Sequence, residues 1–106
     1  MPDQEQTRAQ QILGGTAPEL VRLTDDVLFG QVWADQALSR RDRSLVTVAA
    51  LVTLYRPEQL DSHLRLALAN GLTQEELVAA LTHLAFYAGW PSAMSAMTRL
   101  KAITEE

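Results

Sequence analysis

Two groups of residues in this chain of 106 have the types and spacing to do chemistry. Arg40, Arg41 and Arg43 stand together, and His63 stands apart from them. Ser39 precedes Arg40-Arg41-Asp42 with the Ser-x-x-Asp spacing of an N-cap, so the arginines fall in the first turn of a helix. Cations there face the positive end of the helix dipole, where acids are preferred, and Asp42 offsets one charge of three. In one reading the guanidinium groups and the free backbone N–H groups hold a carboxylate. In the other they pair with Asp25, Asp26 or a neighbouring subunit. His63 lies between Leu60 and Ala67 at helical spacing, on the margin of an apolar face. An imidazole with an ordinary pKa of about 6.5 can pass protons at neutral pH, and a histidine at such a margin can equally be a packing residue. His83 and Tyr87 are one helical turn apart, so they can share a hydrogen bond, line one wall of a cleft or pack. Trp33, Phe86 and Trp90 either wall an apolar pocket or fill a core.

Other chemistries lack residues. The chain has no cysteine, which removes disulfides, thiolate metal ligands and redox motifs. Its two histidines are far apart and have no carboxylate at ligand spacing, so no zinc or iron site is expected. There is no Gly-x-Ser-x-Gly elbow, phosphate loop or dinucleotide fingerprint. Charged residues make up 21% of the chain and the net charge is −4. That balance argues against nucleic acid and against an anionic membrane surface. No run approaches the roughly 20 apolar residues of a membrane span, and the start, Met1 to Gln6, is polar and acidic, unlike a signal peptide. A cytoplasmic location is the expectation.

The elements that must position these residues are helices. Asp3 to Leu13 reads as a first helix ended by Gly14-Gly15. Pro18 opens a second, with Leu20, Leu23, Val27 and Leu28 at helical spacing and an end near Gly30. Between Leu45 and Leu54 every residue except Thr47 and Thr53 is apolar. A helix apolar all round should be buried throughout. Two further helices are expected from Pro57 to Asn70, closed by Gly71, and from Thr73 to Ala88, opened by a Thr73/Glu76 capping box. The last runs from Ser92 to Thr104, after Gly89-Trp90-Pro91. No alternating strand pattern has useful length. The expectation is an all-α bundle of about six helices forming a single domain over residues 1–106. About five short helices would struggle to enclose an all-apolar helix, so a second copy is its easiest cover and a homo-oligomer is expected.

Three segments carry a family resemblance. Ser39 to Thr47 (SRRDRSLVT) is similar to the start of the core helix of the carboxymuconolactone decarboxylase family. His63 to Leu77 (HLRLALANGLTQEEL) resembles its next helix and turn, and His83 to Pro91 (HLAFYAGWP) resembles its C-terminal signature. With Phe29 to Trp33 the likeness spans about Pro18 to Ile103. It implies an all-α, alkylhydroperoxidase-like fold assembled as trimers or hexamers. The thiol branch of that family uses a glutamate, a Cys-x-x-Cys pair and a histidine. Placing His63 on that histidine puts Arg56 and Gln59 at the cysteine positions and Ser44 at the glutamate, so thiol peroxidase activity is excluded. The cysteine-free branch implies a cofactor-free decarboxylase or related lyase in aromatic-acid breakdown, acting on a small cyclic carboxylate such as 4-carboxymuconolactone. On that implication His63 transfers the proton, and Arg43, with Arg40, holds a substrate carboxylate. Ser44 or Tyr87 hydrogen-bonds the lactone oxygen, His83 lies in the binding region, and Trp33 and Trp90 exclude water. The other reading is a non-catalytic binding or assembly module of the same fold.

Overall fold

The computed structural model describes residues 5–106, which form six α-helices and no strand. The all-α expectation holds. Asp3, where the first helix was expected to begin, lies outside the described residues. Contacts divide the chain into two units, Met1–Leu38 and Ser39–Glu106.

In the first unit α1 (Arg8–Leu13) starts later than expected. Thr7 accepts a hydrogen bond from Gln10 N–H, while Gln10 caps Thr7 N–H in return. That reciprocal box fixes the start. Pro18 opens α2 (Pro18–Arg22) as expected, since a proline loses nothing at a position where the N–H has no helical partner. The α geometry does not continue to Gly30. From Leu23 to Val32 the chain is π-helical, closed by an i→i+5 bond of 2.9 Å from Trp33 N–H to Leu28 C=O. Leu20, Leu23 and Leu28 of the expected apolar stripe are exposed.

The second unit holds α3 (Arg40–Thr53), α4 (Pro57–Ala69), α5 (Gln74–Ala88) and α6 (Trp90–Thr104). Ser39 Oγ accepts from Asp42 N–H, as its spacing predicts. Each helix buries a ridge of residues three or four apart: Ser44, Val48 and Val52 on α3, and Leu60, Leu64 and Ala67 on α4. Leu77, Leu81 and Ala85 do so on α5, and Ala93, Ala96 and Leu100 on α6. α3 packs on α4, α5 and α6, so its ridge lies at the centre of this core. The expectation that α3 is buried throughout is not met within one chain. Val46 is 61% exposed and Ala50 and Thr53 are exposed, because three neighbouring helices cover one side of α3 and leave the other to solvent.

The turns are set by backbone chemistry. Gly71 (φ 104°) and Gly89 (φ 101°) take conformations that residues with a Cβ rarely adopt, and they separate α4 from α5 and α5 from α6. Tyr55 (φ 54°) takes the left-handed position between α3 and α4, and Arg56 N–H bonds back to Leu51 C=O at 2.9 Å. An aromatic residue there stores roughly 1 kcal/mol of strain that the surrounding packing must hold. At the chain's end Arg65 of α4 makes a two-pronged pair with Glu106, one arm at 2.6 Å.

Two predictions follow from this packing. Leu64 is fully enclosed, so Leu64→Ala should destabilise the second unit by about 2–5 kcal/mol in urea denaturation. A cost below about 1 kcal/mol would mean that Leu64 is not a core residue. The hydrogen bond from Arg65 holds the Glu106 carboxyl below its ordinary 4.5. A depressed carboxylate stabilises above its unfolded pKa and loses that contribution as pH falls through the folded value. The pair is solvent-exposed, so the effect should be small and weakened by salt. Glu106→Gln should therefore differ from wild type in thermal melts at neutral pH and match it in acid well below pH 4.5.

Candidate active site

The first turn of α3 meets the first turn of α5. Arg41 pairs with Glu76 and, at 3.3 Å, with Asp42. Glu76 also caps Thr73 N–H at 3.0 Å, so one carboxylate both starts α5 and ties it to α3. Within the second unit the α3–α5 packing delivers Glu76 beside Arg41, a proximity that sequence distance concealed. Within the first unit Asp25 accepts from the Thr7 hydroxyl at 2.8 Å. Arg43, two residues on and so turned to nearly the opposite side of α3, is half-buried, and Arg40 is exposed.

Ser44 is fully buried. Its Oγ accepts a hydrogen bond of 3.0 Å from the Asn70 side-chain amide at the end of α4. Asn70 was not singled out by sequence: an Asn-Gly pair at a helix end reads as a stop signal, and that reading conceals a second role for the amide. The Ser44–Asn70 bond also fixes the level of α3 against α4. His63 lies seven residues before Asn70 on the same face of α4, about 10 Å along the axis. It is half-buried, with Nδ1 shielded from solvent and making no hydrogen bond among the described residues. The structure therefore places Ser44 against the end of α4, with Arg43 its half-buried neighbour on α3, and His63 two turns back from Asn70 along α4.

The aromatic candidates lie elsewhere. Trp33 is buried in the first unit, its ring stacked on Phe29 with centroids 5.7 Å apart. His83 and Tyr87 touch ring to ring at 4.9 Å on the exposed side of α5, where Tyr87 is 78% exposed. Tyr87 sits eleven residues beyond Glu76, roughly 16 Å along α5 from the arginine turn. Trp90 is met edge-on by Phe86 at 5.1 Å. With Leu81, Thr82, Ala85, Ala93, Met94 and Met97 it lines an open apolar groove of about 140 Å³ between α5 and α6. Trp90 is the one expected binding residue in that groove. Met94 and Met97, in the last helix, join it there.

The groove can take an apolar or ring-shaped group, the α3 first turn presents guanidinium groups, and His63 offers an imidazole between helices. Comparison with known proteins gives this arrangement a context. The model of the carboxymuconolactone decarboxylase family matches residues 18–102. Over 69 residues the chain is 44% identical to the 4-carboxymuconolactone decarboxylase of Acinetobacter baylyi, covering 65% of this chain and 52% of that protein. Over 69 residues it is 38% identical to the nitrosuccinic acid decarboxylase of Metarhizium robertsii, covering 65% and 48%. The chain thus spans about half the length of these curated relatives.

The Ser44–Asn70 bond is testable by itself. Asn70→Ala and Ser44→Ala should each destabilise the protein by about 1–3 kcal/mol, because each strands a polar partner in the core. The double variant should lose less than the sum of the two, with a coupling of at least about 0.5 kcal/mol in urea melts. Additive losses would mean that the hydroxyl and the amide do not stabilise one another.

Proposed function

Because the chain belongs to the carboxymuconolactone decarboxylase family, we propose that it is a carboxy-lyase acting on a small carboxylate, working as a homo-oligomer. The observation that carries this reading is the 44% identity to a protein named 4-carboxymuconolactone decarboxylase. A second relative, named for decarboxylating nitrosuccinic acid, differs in substrate but shares the reaction type in its name. A cyclic carboxylate such as 4-carboxymuconolactone is the preferred substrate class.

The chemistry asks three things of the protein. A carboxylate must be oriented, the electron pair released with CO2 must be stabilised on a neighbouring carbonyl oxygen, and the carbon must then receive a proton. Arg43, with Arg40 beside it, is suited to holding a carboxylate through charge-assisted hydrogen bonds. His63, half-buried on α4, is suited to delivering the proton to carbon after the C–C bond breaks. Ser44 is enclosed and bonded to Asn70, which makes it better suited to fixing the α3–α4 seam than to touching substrate. Tyr87, with an exposed phenol, is the hydroxyl available to a lactone oxygen, and Trp90 walls the apolar groove. The spread of these groups along the helices keeps a second reading alive, a binding or assembly module of the same fold.

Ultraviolet-monitored turnover of 4-carboxymuconolactone, with nitrosuccinate as a second substrate, separates the two readings. Wild type should consume a substrate faster than a buffer blank. His63→Ala should lose about 100-fold or more while keeping the helical circular dichroism of wild type. An active enzyme with His63→Ala unimpaired would remove His63 from the proton step. No turnover of either compound would sink the proposed lyase and leave the binding module.

A further inference from the structure

Ser92, Ser95 and Arg99 recur at i, i+3 and i+7, so they share one face of α6, and all three are half-buried. That face meets the turn between α3 and α4. There Tyr55, in its left-handed conformation, and Arg56 line the same small cleft as the three α6 residues. The buried Val52, Leu60 and Ala96 give the cleft an apolar floor, so the polar groups form its rim. Their hydrogen-bonding capacity is mostly unused. Elsewhere on α6 the Thr98 and Thr104 hydroxyls donate back to carbonyls of the preceding turn, at 2.8 and 3.1 Å. The Ser92 and Ser95 hydroxyls make no hydrogen bond among the described residues. Arg56 donates to Leu54 C=O at 3.1 Å, and Arg99 donates to Asp61 at 3.0 Å. A guanidinium carries five donors, so both arginines keep donors for a ligand. Asp61 offsets one of the two positive charges and leaves the other. The first turns of α4 and α6 also line the cleft, through Pro57 and Ser92, and neither helix has a side-chain cap.

We propose that this cleft binds the carboxylate group of a small molecule. Charge and volume select that occupant. Guanidinium and hydroxyl donors around one uncompensated positive charge suit an anion held by charge-assisted hydrogen bonds. The accessible space is about 10 Å³, room for one water-sized group. One carboxylate oxygen fills it, and the second stays at the rim with the arginines. A ring, which the α5–α6 groove can take, is too large. The site is also separate from the arginine turn. Val52 at the cleft floor is nine residues beyond Arg43, roughly 14 Å along α3, too far for one small carboxylate to bridge. The cleft is therefore additional to the site proposed for the lyase reaction, and binding at it needs no turnover.

Acetate titration of the full chain at low salt, followed in proton–nitrogen correlation spectra, tests the site in wild type, Arg56→Gln, Ser95→Ala and Lys101→Gln. The Ser92 and Ser95 amide resonances of wild type should shift and saturate. Arg56→Gln should bind acetate about 10-fold more weakly, the loss of one charge-assisted contact. Lys101→Gln removes an exposed charge from α6 outside the cleft and should bind as wild type does. If Arg56→Gln loses the wild-type circular dichroism, Ser95→Ala carries the expectation, with a loss of about 5-fold. No saturable shift, or folded Arg56→Gln and Ser95→Ala that bind as wild type does, would overturn the site. An equal response to chloride, or tighter binding of inorganic phosphate, would overturn carboxylate as its ligand. Turnover of a lyase substrate, or its absence, alters none of these outcomes, so the two readings fail separately.

Discussion

Val48 and Val52 are sealed against Leu60, Leu64, Leu77, Leu81 and Leu100, and the second unit is arranged around that contact. Each of these side chains stabilises the fold by about 1.5–3 kcal/mol through removal from water. Because α3 touches α4, α5 and α6, its ridge decides where the other three helices can lie. It also decides what stays outside. Once Ser44, Val48 and Val52 face inward, Val46 and Ala50 must face outward, since residues two apart on a helix point in nearly opposite directions.

Polar ties then fix the registers that apolar packing leaves loose. Hydrophobic contact is non-directional, so a helix can slide by a fraction of a turn at little cost. The Ser44–Asn70 bond removes that freedom between α3 and α4, because the enclosed Ser44 hydroxyl must find its partner at one level only. Arg41–Glu76 does the same between α3 and α5 at a half-exposed position, and Arg99–Asp61 (3.0 Å) between α6 and α4. The arginine turn is therefore partly structural. Of its three cations, Arg41 is engaged in holding helices together.

The candidate site was legible in residue type and illegible in grouping. Arg43 and His63 could be named from spacing and from family likeness. That Arg43 stands on α3 beside the enclosed Ser44, His63 on α4, and the apolar groove between α5 and α6 depends on how four helices stack. The groove's walls include Met94 and Met97, and nothing in a run of small and apolar residues tells a pocket wall from a core face. The π-helical stretch from Leu23 to Val32 was equally hidden. Its apolar spacing suits an α-helix, and nothing in that spacing marks the change from i→i+4 to i→i+5 bonding.

By itself the sequence determined the local structure of Ser39–Glu106. Ser39, Thr73 and Glu76 started helices, Pro57 and Pro91 sat in first turns, and Gly71 and Gly89 stopped helices, because caps and positive-φ positions are decided by a residue and its immediate neighbours. Family membership followed from the order of three such segments. Only the tertiary structure decided which side of the all-apolar α3 is covered and which acid meets Arg41. It alone showed that Ser44 is enclosed with Asn70, and that the uncharged α5–α6 face is left to solvent. Those outcomes depend on contacts between residues far apart in the chain. A helix apolar on every side carries no mark of which side its neighbours will choose.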